Sequence, residues 1–133
     1  MPEKFFMGAP EGADPFLDAA REGKLLIQRC ADCEKYQFYP RQVCVHCGSS
    51  SVEWAEASGR GTVHTYTVIH QNGMPGWRDE LPYVAAIIDL EEGARMTSNV
   101  VDIEPADVQI GMPVEVTFVD EGTYVLPRFR RSV

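Results

Sequence analysis

The sequence predicts a mainly β protein with a short N-terminal helix, a four-cysteine metal ribbon and a five-stranded Greek-key barrel. Helix-start and helix-stop residues occur near the N-terminus, and all four cysteines lie between residues 30 and 47. Short alternating segments separated by turn residues follow in the second half of the chain. We therefore expect an N-terminal arm and helix over 1–24, a ribbon over 25–57 and a barrel over 58–133.

The helix is predicted from the stretch GADPFLDAAREGKL. Asp14 is a suitable N-cap, Pro15 fits the first helical position and Gly23 marks the end. Phe16, Leu17, Ala19 and Ala20 give the helix a short apolar side, and we expect the residues before it, rich in Pro and Gly, to be an irregular arm. A helix of about two turns is marginal on its own in water, so it should dock on its own domain or on another chain.

The four cysteines form two Cys-x-x-Cys pairs, Cys30 with Cys33 and Cys44 with Cys47. Structural disulfides need an oxidising compartment, and the N-terminal residues contain no apolar export signal. A redox pair needs its cysteines at the start of a helix, whereas Cys30 follows the strand-like segment KLLIQR. Two pairs supply four thiolates, the donor set of closed tetrahedral zinc sites. We predict a structural zinc site with four cysteine ligands, although rubredoxin-type iron would fit the same ligands.

The residues around the cysteines add two expectations. Gly48 follows the second pair, where the backbone turns back toward a thiolate, whereas Glu34 follows the first pair and should point to solvent. The segment between the pairs carries the large side chains Tyr36, Phe38, Tyr39 and Arg41. Either the rings cover the metal site or they form a face for a ligand or a partner.

Five segments in the second half of the chain have the alternation or the β-branched content of short strands. They are TVHTYTVIH (62–70), YVAAIIDL (83–90), RMTSNVVDI (95–103), PVEVTFVD (113–120) and TYVLPRF (123–129). Five strands predict a small Greek-key barrel, of which the OB-fold is the five-stranded form. We expect a helical turn within 104–112, and we interpret residues 49–61 as a linker into the barrel.

A long loop, residues 71–82, is a candidate binding element because loops of this length in compact domains are often functional. Its Trp77 either anchors a ligand or partner or folds back on the barrel. His64 and His70 are separated by an even number of residues, so we expect them on one face of a strand. No catalytic constellation is recognisable from spacing, and we predict no catalytic residue in this chain.

Composition and charge bear on the remaining function classes. The hydrophobic content of 44% is ordinary for a globular protein, and no apolar run is long enough to span a bilayer. We therefore expect a cytoplasmic protein without a membrane partner. The net charge of −8 repels phosphate backbones, which disfavours nucleic acid as a ligand.

In their order along the chain, these motifs resemble a known family. The segments EGKLLIQRCADC, FYPR, CVHCGSSSVEW, GRGTVHTYTVIH, LPYVAAIIDLEEG and IGMPVEVTF are similar to the rubredoxin-like zinc-ribbon plus OB-fold proteins, first catalogued as domain-of-unknown-function family thirty-five. The resemblance covers roughly residues 14–130. This chain departs from the family pattern at Glu34, where glycine is usual, and at Tyr39, where proline is common.

The resemblance implies an accessory subunit of acyl-CoA metabolism. Members of this family are associated with thiolase-like proteins, namely acetyl-CoA acyltransferases, the synthase that condenses acetoacetyl-CoA, and aldolases that remove steroid side chains. It implies that this chain stabilises such a partner or helps to position an acyl-CoA thioester, with the catalytic residues on the partner. We expect a heterotetramer of two chains of each kind, with a structural zinc ion.

An acyl-CoA ester has an anionic nucleotide end and an apolar acyl end, so its site needs cations and an apolar slot. The residues expected to contact acyl-CoA or the partner are Phe38, Tyr39, Arg41, Arg60, Trp77, Arg128, Phe129 and Arg130. Two alternatives stay open. One is a module that binds single-stranded nucleic acid, which the absence of Lys and Arg from 62–70 and 83–90 disfavours. The other is an enzyme that uses His64 or His70 itself.

Overall fold

A computed structural model describes residues 12–122 and 124–132, and these contain one α-helix and eight strands. The elements are α1 (Asp14–Arg21), β1 (Leu26–Cys30), β2 (Tyr36–Gln37), β3 (Val52–Glu56), β4 (Arg60–Ile69), β5 (Tyr83–Leu90), β6 (Arg95–Val101), β7 (Pro113–Asp120) and β8 (Val125–Arg131). Single 3-10 turns occupy Arg78–Glu80 and Pro105–Asp107. Most of the predicted arm lies outside the described residues. No helix of the described part is long and apolar enough to cross a membrane.

Helix α1 ends where the sequence predicts and begins one position earlier than expected. The N-cap is Ala13, which makes no side-chain capping bond, so Asp14 lies in the first turn instead, where its charge favours the helix dipole. Gly23 has a φ of +76°, a left-handed conformation that stops a helix at little cost. The Phe16 ring lies 5.5 Å from that of Phe38, and the helix packs against both β1 of the ribbon and β8 of the barrel.

The ribbon contains an antiparallel sheet in the order β2-β1-β3. The prediction of a linker over residues 49–61 is wrong for their central part. Strand β3 pairs with β1 along its whole length, from Leu26 opposite Glu56 to Cys30 opposite Val52. The pairing aligns the alternating Val52 and Trp54 with β1.

The remaining five strands close into a barrel in the order β4-β5-β6-β8-β7. All neighbours are antiparallel except β6 and β8, and pairing of β4 with β7 closes the ring. The 3-10 turn Pro105–Asp107 lies between the third and fourth barrel strands, as expected. The predicted mainly β fold, with a cysteine ribbon and a five-stranded OB-type barrel, is confirmed.

The barrel and the ribbon share one hydrophobic core. Half-buried and buried residues alternate strictly along β5. The buried Ile88 of this strand packs in the same cluster as Phe129 of β8. Leu25 and Ile27, which belong to the predicted ribbon, are also members of that cluster. Because the two parts are not separated by solvent, the division at residue 57 stays a prediction.

Strand β4 contains an irregularity that changes the direction of one histidine. Val63 pairs with Ile88 and Thr65 with Ile87, so His64 is the additional residue of a bulge. His70 lies beyond the end of the strand. The expectation that His64 and His70 share one strand face is therefore wrong, because the bulge breaks the period of two.

Candidate metal centre and binding surfaces

The four cysteine sulfurs meet in one cluster. The ligand atoms of Cys30, Cys33, Cys44 and Cys47 all lie within 4.8 Å of one another. Cys30 Sγ lies 3.7 Å from Cys47 Sγ, and Cys33 Sγ lies 3.6 Å from Cys44 Sγ. Tetrahedral zinc with bonds of about 2.3 Å requires sulfur separations of roughly 3.8 Å. The cluster therefore has the donors and the size of a tetrathiolate metal site.

Each Cys-x-x-Cys pair is built on the same backbone turn. The amide of Glu34 donates to the Cys30 carbonyl at 2.8 Å, and that of Gly48 to the Cys44 carbonyl at 2.9 Å. Both turn residues are left-handed, with φ of +63° at Glu34 and +79° at Gly48. The Glu34 side chain is 75% exposed and lies 3.4 Å from Arg29, so its predicted orientation to solvent is confirmed.

The thiol pKa values differ within the cluster. Burial disfavours the Cys44 thiolate, but hydrogen bonds from the backbone amides of Cys47 and His46 and from the side chains of Cys33 and Cys47 together outweigh it and lower the pKa of Cys44 to about 6. At Cys47 the amide of Ser49 favours the thiolate, whereas burial and the neighbouring sulfurs raise the pKa to about 12. Adjacent anions repel one another, so four thiolates here require a cation between them.

Two buried glutamines fix the loop between the cysteine pairs. The Gln28 side chain accepts from the Arg41 amide at 2.8 Å and donates to the Arg41 carbonyl at 2.9 Å. Gln37 donates to the Gln28 carboxamide at 2.8 Å and accepts from the Val45 amide at 2.8 Å. Side chains thus supply the hydrogen bonds that a regular strand would give this loop.

The loop presents an apolar surface, which we call the ribbon face: Tyr39, Arg41, Val43 and Val45. Among the described residues, five large hydrophobic side chains are exposed, and Tyr39, Val43 and Val45 are three of them. The Arg41 guanidinium lies 6.0 Å from the centre of the Tyr39 ring. The two valines are absent from the predicted contact residues; they flank the buried Cys44 in a bend and a turn, and both are exposed.

Phe38 lies at the inner border of the ribbon face. Its ring contacts Phe16 and, at 5.9 Å and nearly perpendicular, Tyr39. It also lines an open groove of about 460 Å³ between ribbon and barrel, together with Val45 and Arg95. Of the predicted contact residues, Phe38, Tyr39 and Arg41 are thus brought together.

The predicted arginines of the barrel surface do not form one anion site. Arg60 lies 3.1 Å from Glu91, and Arg130 lies 3.1 Å from Glu115. Each therefore has a carboxylate neighbour that already balances its charge. Arg41 is the predicted cation for which the described residues provide no ion pair.

Arg128 and Trp77 line a separate cleft of about 220 Å³ at the long loop. The Arg128 side chain is 12% exposed and lies 4.0 Å from the nearly buried Glu121. Burial lowers the pKa of Arg128, while the charges of Glu121 and Glu80 oppose that shift. The Trp77 ring lies 5.3 Å from that of Tyr83, so it folds back on the barrel.

Phe129 is a predicted contact for acyl-CoA or the partner, but its side chain is completely buried in the barrel core. Because Arg128 and Arg130 point outward from β8, the residue between them points inward. Phe129 therefore contributes to packing and offers no surface to a ligand.

Comparison with family models matches two consecutive domains. Residues 17–53 match the rubredoxin-like zinc ribbon domain of ChsH2, and residues 54–119 match the ChsH2 C-terminal OB-fold domain. A "DUF35 domain-containing scaffold protein" of Methanocaldococcus jannaschii is 44% identical over 95 residues, covering 71% of this chain and 67% of that protein.

Two longer relatives have names that refer to CoA chemistry. A "probable enoyl-CoA hydratase alpha subunit" of Thermomonospora curvata is 40% identical over 89% of this chain. The "3-oxo-4,17-pregnadiene-20-carboxyl-CoA hydratase alpha subunit" of Mycobacterium tuberculosis is 37% identical over 79% of this chain. The chain spans only 37% and 33% of their respective lengths.

A solved structure described as "Ltp2-ChsH2(DUF35) aldolase" contains a similar chain. The TM-score is 0.85 and the identity is 36%, and the match covers 96% of this chain and 100% of that one. The likeness extends over both the ribbon and the barrel.

Proposed function

The chain belongs to the DUF35 family of ChsH2-type proteins, in which a rubredoxin-like zinc ribbon precedes an OB-fold, and on this premise we propose that it is a non-catalytic partner subunit of a thiolase-like acyl-CoA enzyme. The reaction is acyl transfer or retro-aldol cleavage, as in removal of a steroid side chain. The reacting groups belong to the partner, and this chain stabilises the partner or helps to position the thioester.

The observation that carries the proposal is the likeness to a chain of the Ltp2-ChsH2(DUF35) aldolase. That match spans the ribbon and the barrel at 36% identity, so it includes the surfaces on which a shared mode of assembly would depend. The hydratase names of the longer relatives agree with CoA thioesters as the substrate class. The ribbon face supplies an apolar contact area with one cation, which suits a protein partner.

Zinc is the metal that we propose for the cysteine cluster, with Cys30, Cys33, Cys44 and Cys47 as its ligands. Four thiolates close the coordination sphere, so the ion supports folding and leaves no position for a substrate. Elemental analysis of the purified chain tests this: one zinc per chain is expected, and stoichiometric iron with a rubredoxin-like visible spectrum would contradict it. Free thiols reserved for a metal also agree with a cytoplasmic location.

Copurification is the direct test of the partner. The tagged chain is purified from its native host at moderate salt, and the proteins that coelute are identified by mass spectrometry and sized by light scattering. We expect a thiolase-like chain in equal amount and the mass of a two-plus-two heterotetramer. Recovery of the chain alone, or with nucleic acid, would overturn the proposal and favour the nucleic-acid module.

Matched variants test the contact surface in the same experiment. Val45→Asp places a charge on the exposed ribbon face and should reduce recovery of the partner at least tenfold. Ile110→Asp also replaces an exposed aliphatic residue, on the barrel, where Ile110 is 69% exposed against 57% for Val45, and it should leave recovery unchanged. Equal recovery with both variants would mean that the ribbon face is not the contact.

A further inference from the structure

We propose that the outer edge of β3 (Val52–Glu56) pairs with an extended, basic segment of the partner, which thereby adds a fourth strand to the ribbon sheet. This inference rests on the proposed function, since the segment belongs to the thiolase-like chain. It concerns a different surface from the ribbon face and depends on backbone groups.

The pairing register identifies which backbone groups are free. Ala57 donates to the Leu25 carbonyl, and Ala31 donates to the Ser51 carbonyl. In an antiparallel pair these bonds occur at alternate residues. Positions 51, 53, 55 and 57 therefore bond to β1, and the amides and carbonyls of Val52, Trp54 and Glu56 point away from it. None of these three residues has another backbone partner within the described part of the chain.

Other strand edges of the described residues are partly paired or short. The barrel ring is closed by short pairings, β4 with β7 over residues 60–62 and β6 with β8 over residues 100–101, so parts of these barrel strands also lie outside these pairings. Strand β2 is two residues long, and its outward carbonyl, on Tyr36, lies 3.1 Å from His46 Nε2. Strand β3 has five residues without proline or a bulge. Such an edge is a template for a further strand.

The charged side chains of β3 indicate which kind of segment would pair with its outer edge. Glu53 and Glu56 lie on β3, and neither takes part in the ion pairs between described residues. Glu53 and Glu56 are three residues apart and so lie on opposite faces of β3, with Arg29 of β1 opposite Glu53. Pairing β3 with a second copy would add like charge on each face, which is unfavourable. A segment with Lys or Arg at two positions three residues apart would place one cation opposite each glutamate. The half-buried Trp54 between them would pack on an aromatic or β-branched side chain of the segment.

Amide hydrogen exchange on the free chain and on its complex with the thiolase-like chain tests the pairing. In the free chain, the amides of Val52, Trp54 and Glu56 should exchange much faster than those of Glu53 and Ala55, which bond to β1. In the complex, the three outward amides should slow at least tenfold. Unchanged rapid exchange of all three in the complex would overturn the proposal.

A proline variant tests the backbone contribution separately from the charge. Glu56→Pro removes an outward N–H that the fold does not use, and proline is tolerated at such edge positions. Glu56→Thr removes the same charge but keeps the N–H, so it is the matched control. We expect the proline variant to bind the partner at least tenfold more weakly than the threonine variant, at similar melting temperatures. Equal affinities would overturn the proposal.

The charge contribution is measured with Glu53→Gln combined with Glu56→Gln. Loss of two opposed charge pairs should weaken binding about three- to ten-fold and reduce its salt dependence. The control is Glu104→Gln combined with Asp107→Asn, which changes two exposed carboxylates of the barrel. If the complex forms but none of these variants differs from its control, the edge proposal fails and the proposed function stands. If the unmodified chain recovers no thiolase-like protein, both fail.

Discussion

Glu34 and Gly48 occupy equivalent left-handed positions in the two cysteine turns, but only one of them is glycine. A left-handed conformation costs an L-residue about 1–2 kcal/mol, and glycine escapes this cost. The compensating contact, from Glu34 to Arg29, is largely exposed and contributes little. The first turn therefore stores strain that the second does not.

We predict that Glu34→Gly raises the free energy of unfolding of the zinc-loaded chain by about 0.5–1 kcal/mol, since part of the gain is lost to unfolded-state entropy. Denaturant titration measures the change. Glu34→Ala removes the ion pair but keeps the strain and should be nearly neutral. Gly48→Ala, the reverse exchange at the equivalent position, should lose about 0.5–1 kcal/mol, and its new Cβ would meet no atom within 4 Å, so that loss is conformational. If Glu34→Gly is no more stable than Glu34→Ala, the backbone at residue 34 is not strained.

Gly61 is required for a different reason, the close approach of two barrel strands. A Cβ at this position would collide with the backbone carbonyl oxygen of Asp89 on β5. We predict that Gly61→Ala lowers the free energy of unfolding by about 2 kcal/mol or more, because strand backbone must move. Gly73→Ala, where a Cβ has open space, should stay within about 0.5 kcal/mol. Denaturant titration of both variants measures the two losses. If Gly61→Ala loses no more stability than Gly73→Ala, the barrel strands move apart at little cost to accommodate the new Cβ.

At the scale of elements, the loop between the cysteine pairs depends on Gln28. We predict that Gln28→Ala costs about 2–4 kcal/mol, because it leaves the amide and the carbonyl of Arg41 without their partner and removes one hydrogen bond of the Gln37 carboxamide. The same loop should become more mobile, so trypsin should cleave after Arg41 faster. Gln42→Ala changes an exposed glutamine in the same loop and should alter neither stability nor cleavage. Unchanged cleavage in the Gln28 variant would mean that the metal alone orders the loop.

Local patterns in the sequence predict most elements, and the exceptions have identifiable causes. The helix, the cysteine turns and the barrel strands follow from spacing and alternation within short segments. Strand β3 has the sequence character of a linker because its five residues include two glutamates, and its identity depends on pairing with β1. The bulge at His64 shifts the register by one residue, which no alternation rule anticipates.

The residues of the candidate site are likewise predictable from the sequence only in part. Cysteine spacing alone predicts the metal ligands, because the chemistry of four thiolates leaves few other uses. The ribbon face is only partly predictable, since the exposure of Val43 and Val45 depends on the bend and the turn that flank Cys44. The sequence does not reveal which arginines are already paired with a carboxylate, because the partners Glu91, Glu115 and Glu121 are on other strands or turns.

The whole molecule is held together by a core that crosses from ribbon to barrel. Leu25 and Ile27 are buried in the same cluster as Ile88 and Phe129, so loss of the metal should affect more than the cysteine loops. Structural zinc contributes roughly 10–16 kcal/mol of apparent binding energy in small ribbons. The barrel, in contrast, has a closed set of strand pairs that does not involve the metal.

We predict that chelation unfolds the ribbon first and leaves a barrel of lower stability. The chain has two tryptophans, Trp54 on a ribbon strand and Trp77 on a barrel loop, so each part contains its own fluorescent probe. In a Trp77→Phe variant, a strong chelator should shift the emission of Trp54 to longer wavelength as β3 loses its pairing with β1. In a Trp54→Phe variant, the emission of Trp77 should hold, but its thermal midpoint should fall by several degrees because the barrel end loses Leu25 and Ile27. Simultaneous shifts at both probes on chelation would mean that ribbon and barrel unfold as one unit, and an unchanged midpoint would mean that the shared core carries little of the barrel's stability.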